Sequence, residues 1–286
     1  MEPTWTLARR FWAAIEPIHA VVYFAAEPAE AARQAGLRGF WMGYFASRVA
    51  PLGAVPPTAV CAMAYGFAPA MVARAIPDAW KFADPAAVLD ARLTSAAVAL
   101  RNHVDQPAAS GLTELCDLLW RAIDGCRFDG RPLAAAWAAV ARPADPVAAT
   151  WLAATILREH RGDGHVLAAV CAGLGGLDAT LTHVATGVIS RELMQPTRGW
   201  SNEDWQQSQR RLQARGLLDR DGRLTKTGGA LRREIEDLTD RLAAAPVERL
   251  GETGVNRAIG LALPISRQLA DSGVFPVPNP IGAPRP

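Results

Sequence analysis

The sequence predicts a mainly α-helical fold made of two tandem, diverged copies of one unit, each closing on a short β-hairpin. Three observations predict it. The chain matches itself when displaced by 110 positions, so that Trp41 falls on Trp151. Its apolar residues recur at helical spacing, punctuated by Gly, Pro and cap residues. A hairpin signal, Arg220-Asp221-Gly222, lies between two helical stretches late in the second copy.

The self-match extends beyond the tryptophans. Arg48 falls on Arg158, Ala59-Val60-Cys61-Ala62 on Ala169-Val170-Cys171-Ala172, and Gly66 on Gly176. Two positions further out of register, Leu112-Thr113 falls on Leu224-Thr225, Leu119 on Leu231, Arg121 on Arg233 and Ile123 on Ile235, the change a loop insertion produces. The expected organisation is an N-terminal helical segment (1–40), a first repeat (41–126), a connecting helix (127–150), a second repeat (151–245) and a C-terminal helix with a Pro-rich tail (246–286).

The second copy is the more legible. Trp151 to Glu159 reads as a helix that HRGDGH breaks, with Gly162 as its stop and Asp163 as the N-cap of a helix from His165 to Gly173. A further helix covers Leu177 to Leu193, and PTRGW is a turn. Ser201, with Asp204 three residues on, caps a helix that stops at Gly216. Leu217-Leu218-Asp219 and Arg223-Leu224-Thr225 flank the hairpin turn. The last helix, Gly229 to Ala245, aligns Leu231, Ile235, Leu238 and Leu242 on one face. Helices, a small hairpin and a closing helix follow in the order of a winged helix-turn-helix, so the expectation is a tandem pair of winged-helix-like domains with short wings. In the first copy the corresponding stretch, KFADPAAVLDARLTSAAVALRNHVD, is more apolar and less basic.

Two resemblances agree with this order. RLQARGLLDRDGRLTKTGGALRREIE (211–236) resembles the recognition helix, wing and following helix of MarR-type regulators. More broadly, EPIHAVVYF (16–24), LRGFWMGYFASRVAPLG (37–53), YGFAPAMVARAIPDAW (65–80), REHRGDGH (158–165) and RGWSNEDW (198–205) resemble an actinobacterial family of helix-turn-helix proteins. The resemblance implies a helix-turn-helix fold and carries no activity with it.

Composition narrows the function classes. Half of the 286 residues are hydrophobic and 20% are charged, the balance of a globular chain with an ample core. A net charge of +2 argues against a dedicated nucleic-acid binder, whose affinity comes largely from phosphate neutralisation. The predicted recognition helix also opens on Glu203 and Asp204, which would repel a phosphodiester, although Arg210, Arg211, Arg215, Arg220 and Arg223 follow. Cys61, Cys116, Cys126 and Cys171 form no C-x-x-C pair, so reduced thiols and a cytoplasmic setting are expected, without structural zinc. Glu16 inside the first apolar stretch argues against a signal peptide. The uncharged run Val49 to Ala73 has the length of a membrane span, but Pro51, Pro56, Pro57 and Pro69 cut it, so no membrane association is expected.

Nine Trp against three Tyr hint at an apolar, aromatic pocket. Arg38, Arg48 and Arg74 punctuate the most aromatic stretch, which holds Phe40, Trp41, Tyr44, Phe45, Tyr65, Phe67 and Trp80. The candidate ligand-binding residues are therefore Tyr23, Arg38, Trp41, Tyr44, Phe45, Arg48, Tyr65 and Arg74, with Arg161 and His165 from the HRGDGH turn. Four residues are candidates for acid/base work. Glu16 and His19 share a helix face at i and i+3 if Pro17 does not break the helix, and His160 and Asp163 lie in the polar turn. Ala172-Gly173-Leu174-Gly175-Gly176 follows no strand and suits a turn or close helix packing better than a phosphate cradle. No Walker loop, dinucleotide fingerprint or nucleophile elbow is present.

The resulting expectation is a protein that binds a small, largely apolar organic molecule between two winged-helix-like halves, with a regulatory role. The alternatives are an enzyme using Glu16, His19, His160 and Asp163, with or without a metal or haem, and a DNA-binding regulator. Metal and cofactor stay unassigned, the partner is a small molecule rather than DNA, and a homodimer is admitted. The Pro-rich tail, GVFPVPNPIGAPRP, is expected to run extended across the surface.

Overall fold

Helix α1 (Thr4–Ala20) buries Leu7, Phe11, Ile15 and Ile18 along one stripe, spaced by three and four as a single helix face requires. The structure is a computed structural model that describes residues 3–276, 278–282 and 285–286; Pro284 of the tail lies outside the described residues. Pro17 does not break α1: the helix forgoes the one N–H that proline lacks and continues to Ala20, with the Val21 N–H bonded to the Pro17 carbonyl. The stripe packs against α16 (Ala244–Asp271), which is bent at Gly251.

Several of the following helices open on proline, whose fixed φ and missing N–H suit the first helical position. After α2 (Ala26–Gln34) and α3 (Gly39–Val49), Pro57 opens α4 (Pro57–Met63) and Pro69 opens α5 (Pro69–Ala73). The uncharged run from Val49 is thereby divided, and among the described residues no single helix is long and apolar enough to cross a membrane. A short α6 (Ala79–Phe82) precedes α7 (Pro85–His103), where Asp84 accepts from the Ala86 N–H at 2.8 Å. Then come α8 (Gln106–Ala109), α9 (Leu112–Ile123) and α10 (Pro132–Ala138).

Helix α11 (Pro146–Cys171) runs through the middle of the fold, with Trp151, Leu152, Ala153, Ala154 and Ile156 all sealed from solvent. Asp145 caps it by accepting from Val147 and Ala148. This corrects the expected break at HRGDGH, since residues 160–165 are an uninterrupted part of α11. The glycines serve packing rather than a turn. A Cβ on Gly164 would lie 2.7 Å from Nη1 of Arg131, which instead reaches the main-chain oxygens of His160 and Leu242. Asp163 does cap a helix, but not its own: its Oδ2 accepts from the Leu133 and Ala134 N–H groups at the start of α10.

The helices α12 (Gly176–Val184), α13 (Arg191–Arg198), α14 (Asn202–Ala214) and α15 (Lys226–Leu242) build around a smaller core of Leu177, Leu181, Trp205, Leu212, Leu217 and Ile235. Helix α13, the turn Gly199-Trp200-Ser201 and α14 follow in the order of a helix-turn-helix. Ser201 caps α14 as expected, accepting from the Asp204 N–H at 3.0 Å and donating to the Asp204 carboxylate at 2.6 Å. The wing is reduced to one antiparallel bridge, Leu218 to Leu224, and no strand is present among the described residues. The residues before Leu112, where the first copy would carry its wing, form α8 instead. The expected pair of hairpin wings is therefore not found: with so few residues between the flanking helices, a hairpin gains too few cross-strand pairs to extend.

Gly176 sets how closely this unit approaches the rest of the chain. A Cβ there would collide with the carbonyl of Tyr65, so α12 begins against the 65–66 backbone only because the residue is glycine. Within the glycine-rich stretch 172–176, Gly176 thus acts in close packing, while Gly173, at φ +68°, makes the turn that follows α11.

Candidate functional site

A cleft of about 370 Å³ opens where the helix-turn-helix unit meets α1, α3 and α11. Its cationic lining comes from four helices. Arg48 projects from α3, Arg158 and Arg161 from α11, Arg198 from α13 and Arg232 from α15. Arg158, Arg161 and His165 stand at i, i+3 and i+7, so the stretch expected to be a turn becomes one polar stripe on a continuous helix. Trp12, Tyr44, Tyr65, Phe67 and Met194 supply apolar wall, and Pro280 to Gly282 of the tail close one side.

Glu159 organises the charges, although it lies behind the wall and is 1% exposed. Its Oε2 accepts from Arg48 Nη2 at 3.0 Å and from Arg158 Nη1 at 2.8 Å, and its Oε1 from Arg48 Nε at 3.3 Å. Burial pushes the carboxyl up, but Arg158 and Arg48 outweigh it and hold Glu159 well below the usual carboxylate range. Glu16 is different. It accepts from Trp12 Nε1 at 2.7 Å and lies 3.7 Å from Arg158 Nε, yet burial dominates and raises its pKa. Arg198 has no carboxylate partner among the described residues. It donates to the Pro280 carbonyl at 2.6 Å and lies over the Phe67 ring at 4.4 Å. Burial, with Arg48 and Arg158 contributing, lowers its pKa. Arg161 pairs with Asp240 at 2.7 Å, and Arg232 with Glu236 at 2.6 Å.

Of the candidate ligand residues, Tyr44, Arg48, Tyr65, Arg161 and His165 line this cleft, together with Glu16 and Asp163 from the acid/base set. Phe45 is buried in an aromatic cluster with Trp41 and Phe67, behind the wall. Tyr23 turns to a second cavity beyond Tyr44. Arg38 lies over Phe82 at 3.9 Å on the surface, and Arg74 is exposed at the end of α5. Both arginines sit next to solvent at helix ends, which is where an unpaired guanidinium is cheapest.

The proposed Glu16–His19 pair is not formed, because the two side chains have different partners. His19 Nδ1 meets Thr155 Oγ1 at 2.9 Å and Nε2 meets the Tyr23 hydroxyl at 3.1 Å, fully buried. His160 does not line the cleft; it packs edge-on against Phe128, and its Nε2 has no hydrogen-bond partner among the described residues. Among the described residues no group of three His, Cys, Asp or Glu side chains is placed to hold a metal ion. Sequence reasoning missed Glu159 and Arg198. The signal for Glu159 was its place as an isolated carboxylate following the apolar run WLAATIL; Arg198 carried none, since its role depends on what folds beside it.

Burial fixes the pH response. It lowers His19, and it lowers His160 and His165 to about 4. A depressed folded pKa contributes stability that is present above the unfolded value of about 6.5 and lost as pH falls through the folded one. Asp163 opposes this: burial raises it to about 6, so its contribution is present in acid and lost as pH rises through that value. The melting temperature is expected to fall between pH 6.5 and 4, and more steeply in Asp163→Asn, which keeps an acceptor for α10 but no longer takes up a proton. Equal slopes in thermal unfolding across that range would show that Asp163 does not titrate as described.

A family model described as Helix-turn-helix family matches residues 8–276, nearly the whole chain. No curated protein and no solved structure matches.

Proposed function

The chain belongs to the Helix-turn-helix family, and from that premise we propose that it binds a small organic anion with an aromatic or apolar body in the cleft beside the helix-turn-helix unit. One observation carries this reading. The guanidiniums of Arg48, Arg158 and Arg198 converge where Glu159 is the carboxylate held ionised, so the partly desolvated wall keeps a surplus of positive charge. Burial raises the Glu16 pKa against the pull of Arg158, and even with Glu16 ionised three guanidiniums face two carboxylates. The ligand expected from sequence was largely apolar; the lining favours one that is apolar at one end and anionic at the other.

Two further observations support the finer parts of the reading. Repeat-matched residues meet one another: Arg48 and Arg158 share Glu159, and Gly176 abuts the Tyr65–Gly66 backbone. Residues near the two-fold axis of a duplicated fold meet their mates in this way, which favours a pseudo-dimer with its axis at the cleft. Helix α14, which leads into the stretch resembling a MarR recognition helix and wing, keeps an exposed polar face of Gln206, Gln207 and Arg210 beside the cleft-forming α13, which suits a regulatory readout. Asp204, engaged by Ser201, serves the cap, and DNA remains the disfavoured partner. An enzymatic reading rests on Glu16, a carboxyl of raised pKa facing the cleft.

Calorimetric titration with 1-naphthoate and its neutral analogue 1-naphthylmethanol tests the proposal. The acid is expected to bind at least about tenfold more tightly, and Arg198→Gln to remove that preference. Equal binding of acid and alcohol would rule out the anion site. A shift of mixed-sequence DNA at low salt would move the regulator reading ahead of it.

A further inference from the structure

A second cavity, of about 400 Å³, lies on the far side of Tyr44 between α2, α3 and α7. Its walls are apolar: Tyr23, Phe24, Leu37, Val88 and alanines of α2 line it, and no carboxylate does. Phe40 stands at this cavity and is 55% exposed.

Arg92 of α7 also lines this cavity, and it is 5% exposed. Its Nε and Nη2 are buried with no hydrogen-bond partner, and it forms no ion pair among the described residues. Its neighbours are the rings of Tyr23, Trp151 and Trp137, at 5.3, 5.5 and 5.8 Å from the guanidinium carbon. Those ring faces ease the charge but satisfy none of its N–H donors in the plane of the guanidinium. Glu159, the carboxylate whose field reaches it, already accepts from Arg48 and Arg158. A buried charge is costly unless it is paired and hydrogen-bonded. Arg92 is neither, and it borders an open volume of ligand size.

We propose that this cavity is a binding site for an amphiphilic monocarboxylate, its carboxylate hydrogen-bonded by Arg92 and its apolar body lying between α2 and α3 toward Phe40. A carboxylate would take up N–H donors that Arg92 leaves unused, and the other cation at the cavity, Arg33, is already held by Glu30, so one free guanidinium suits a monoanion. The apolar walls select a long aliphatic or aromatic body over a small hydrated ion. The site shares Tyr44 with the arginine cleft but none of its cations, so it stands or falls independently of the function proposed above.

The test uses the full chain with decanoate and 1-decanol as probes, read by calorimetry and by carbon-13 NMR of decanoate labelled at its carboxyl carbon. Decanoate is expected to bind at least about tenfold more tightly than decanol. Its bound carboxyl should stay ionised to lower pH than in free solution. Arg92→Met should abolish the preference for the acid while leaving decanol binding, and Arg198→Gln should change neither. Ala29→Trp, on the exposed rim, should block both probes without touching Arg92; it keeps the test decisive if Arg92→Met does not fold. Equal affinity of acid and alcohol, no decanoate binding, an unchanged affinity in Arg92→Met, or unchanged binding in Ala29→Trp would each overturn the proposal.

Discussion

Replacing Trp151 with Ala is expected to destabilise the protein by about 3–5 kcal/mol, a large share of the roughly 5–15 kcal/mol that holds a typical domain folded. The ring is fully buried in the middle of α11 and touches three parts of the fold at once. Its Nε1 donates to the His19 carbonyl of α1 at 3.2 Å, it meets Trp137 of α10 edge-on at 5.7 Å, and the Arg92 guanidinium lies over it. Alanine leaves a cavity and an unsatisfied carbonyl together. Phenylalanine restores most of the volume and loses chiefly the hydrogen bond, so Trp151→Phe should cost only about 1–3 kcal/mol. Urea unfolding of both variants measures the difference. A loss below about 1 kcal/mol for Trp151→Ala would mean that the core closes around the gap.

A comparable loss is expected from Glu159→Gln, by an electrostatic route. The substitution keeps shape and removes one charge, leaving Arg48 and Arg158 facing each other with Glu16 as the nearer remaining carboxyl. Removing one partner of a buried ion pair costs about 3–5 kcal/mol, because the remaining charge stays desolvated. The pH dependence separates this from a packing defect. The folded pKa of Glu159 is depressed, so its contribution is present above the unfolded value of about 4.3 and lost as pH falls toward the folded one. The wild type should therefore lose this contribution in acid, and Glu159→Gln should lack it at every pH. Stability curves for the two proteins are expected to converge as pH falls below 4. Parallel curves would show that Glu159 does not hold the arginines through its charge.

How much could be read beforehand depended on the range of the interactions involved. Only the second half of the helix-turn-helix was legible, because its signal is local: the Ser201 cap is set by Asp204 three residues on, as the apolar spacing of α15 is set by near neighbours. The expected helix from Leu177 to Leu193 instead divides into α12 and α13, and α13 runs on through Pro196 to Arg198, where the sequence reads as a turn. The hairpin turn was legible for the same local reason, but not its extent, which collapses to one bridge. The stretch 158–165 was misread because two glycines and an aspartate ordinarily mark a helix end. Here Arg131, about thirty positions away in sequence, fills the space Gly164 leaves, and Asp163 caps α10 in place of its own helix. Local propensity lost to tertiary packing.

The arginines show the same division. Their number and their aromatic neighbours pointed to a cationic, apolar-walled site, and five of the ten ligand candidates do line the cleft. Which guanidiniums meet a carboxylate is a different matter. Arg48 and Glu159 are 111 positions apart, and Arg198 meets Pro280 across 82. Helicity, caps and the polar face of each helix follow from residues within about one turn of each other, so sequence spacing encodes them directly. Charge pairing and burial depend on which faces come together after the helices pack. The folded arrangement alone therefore separates Arg38 and Arg74, spent at the surface, from Arg198 and Arg92, held inside without a carboxylate of their own.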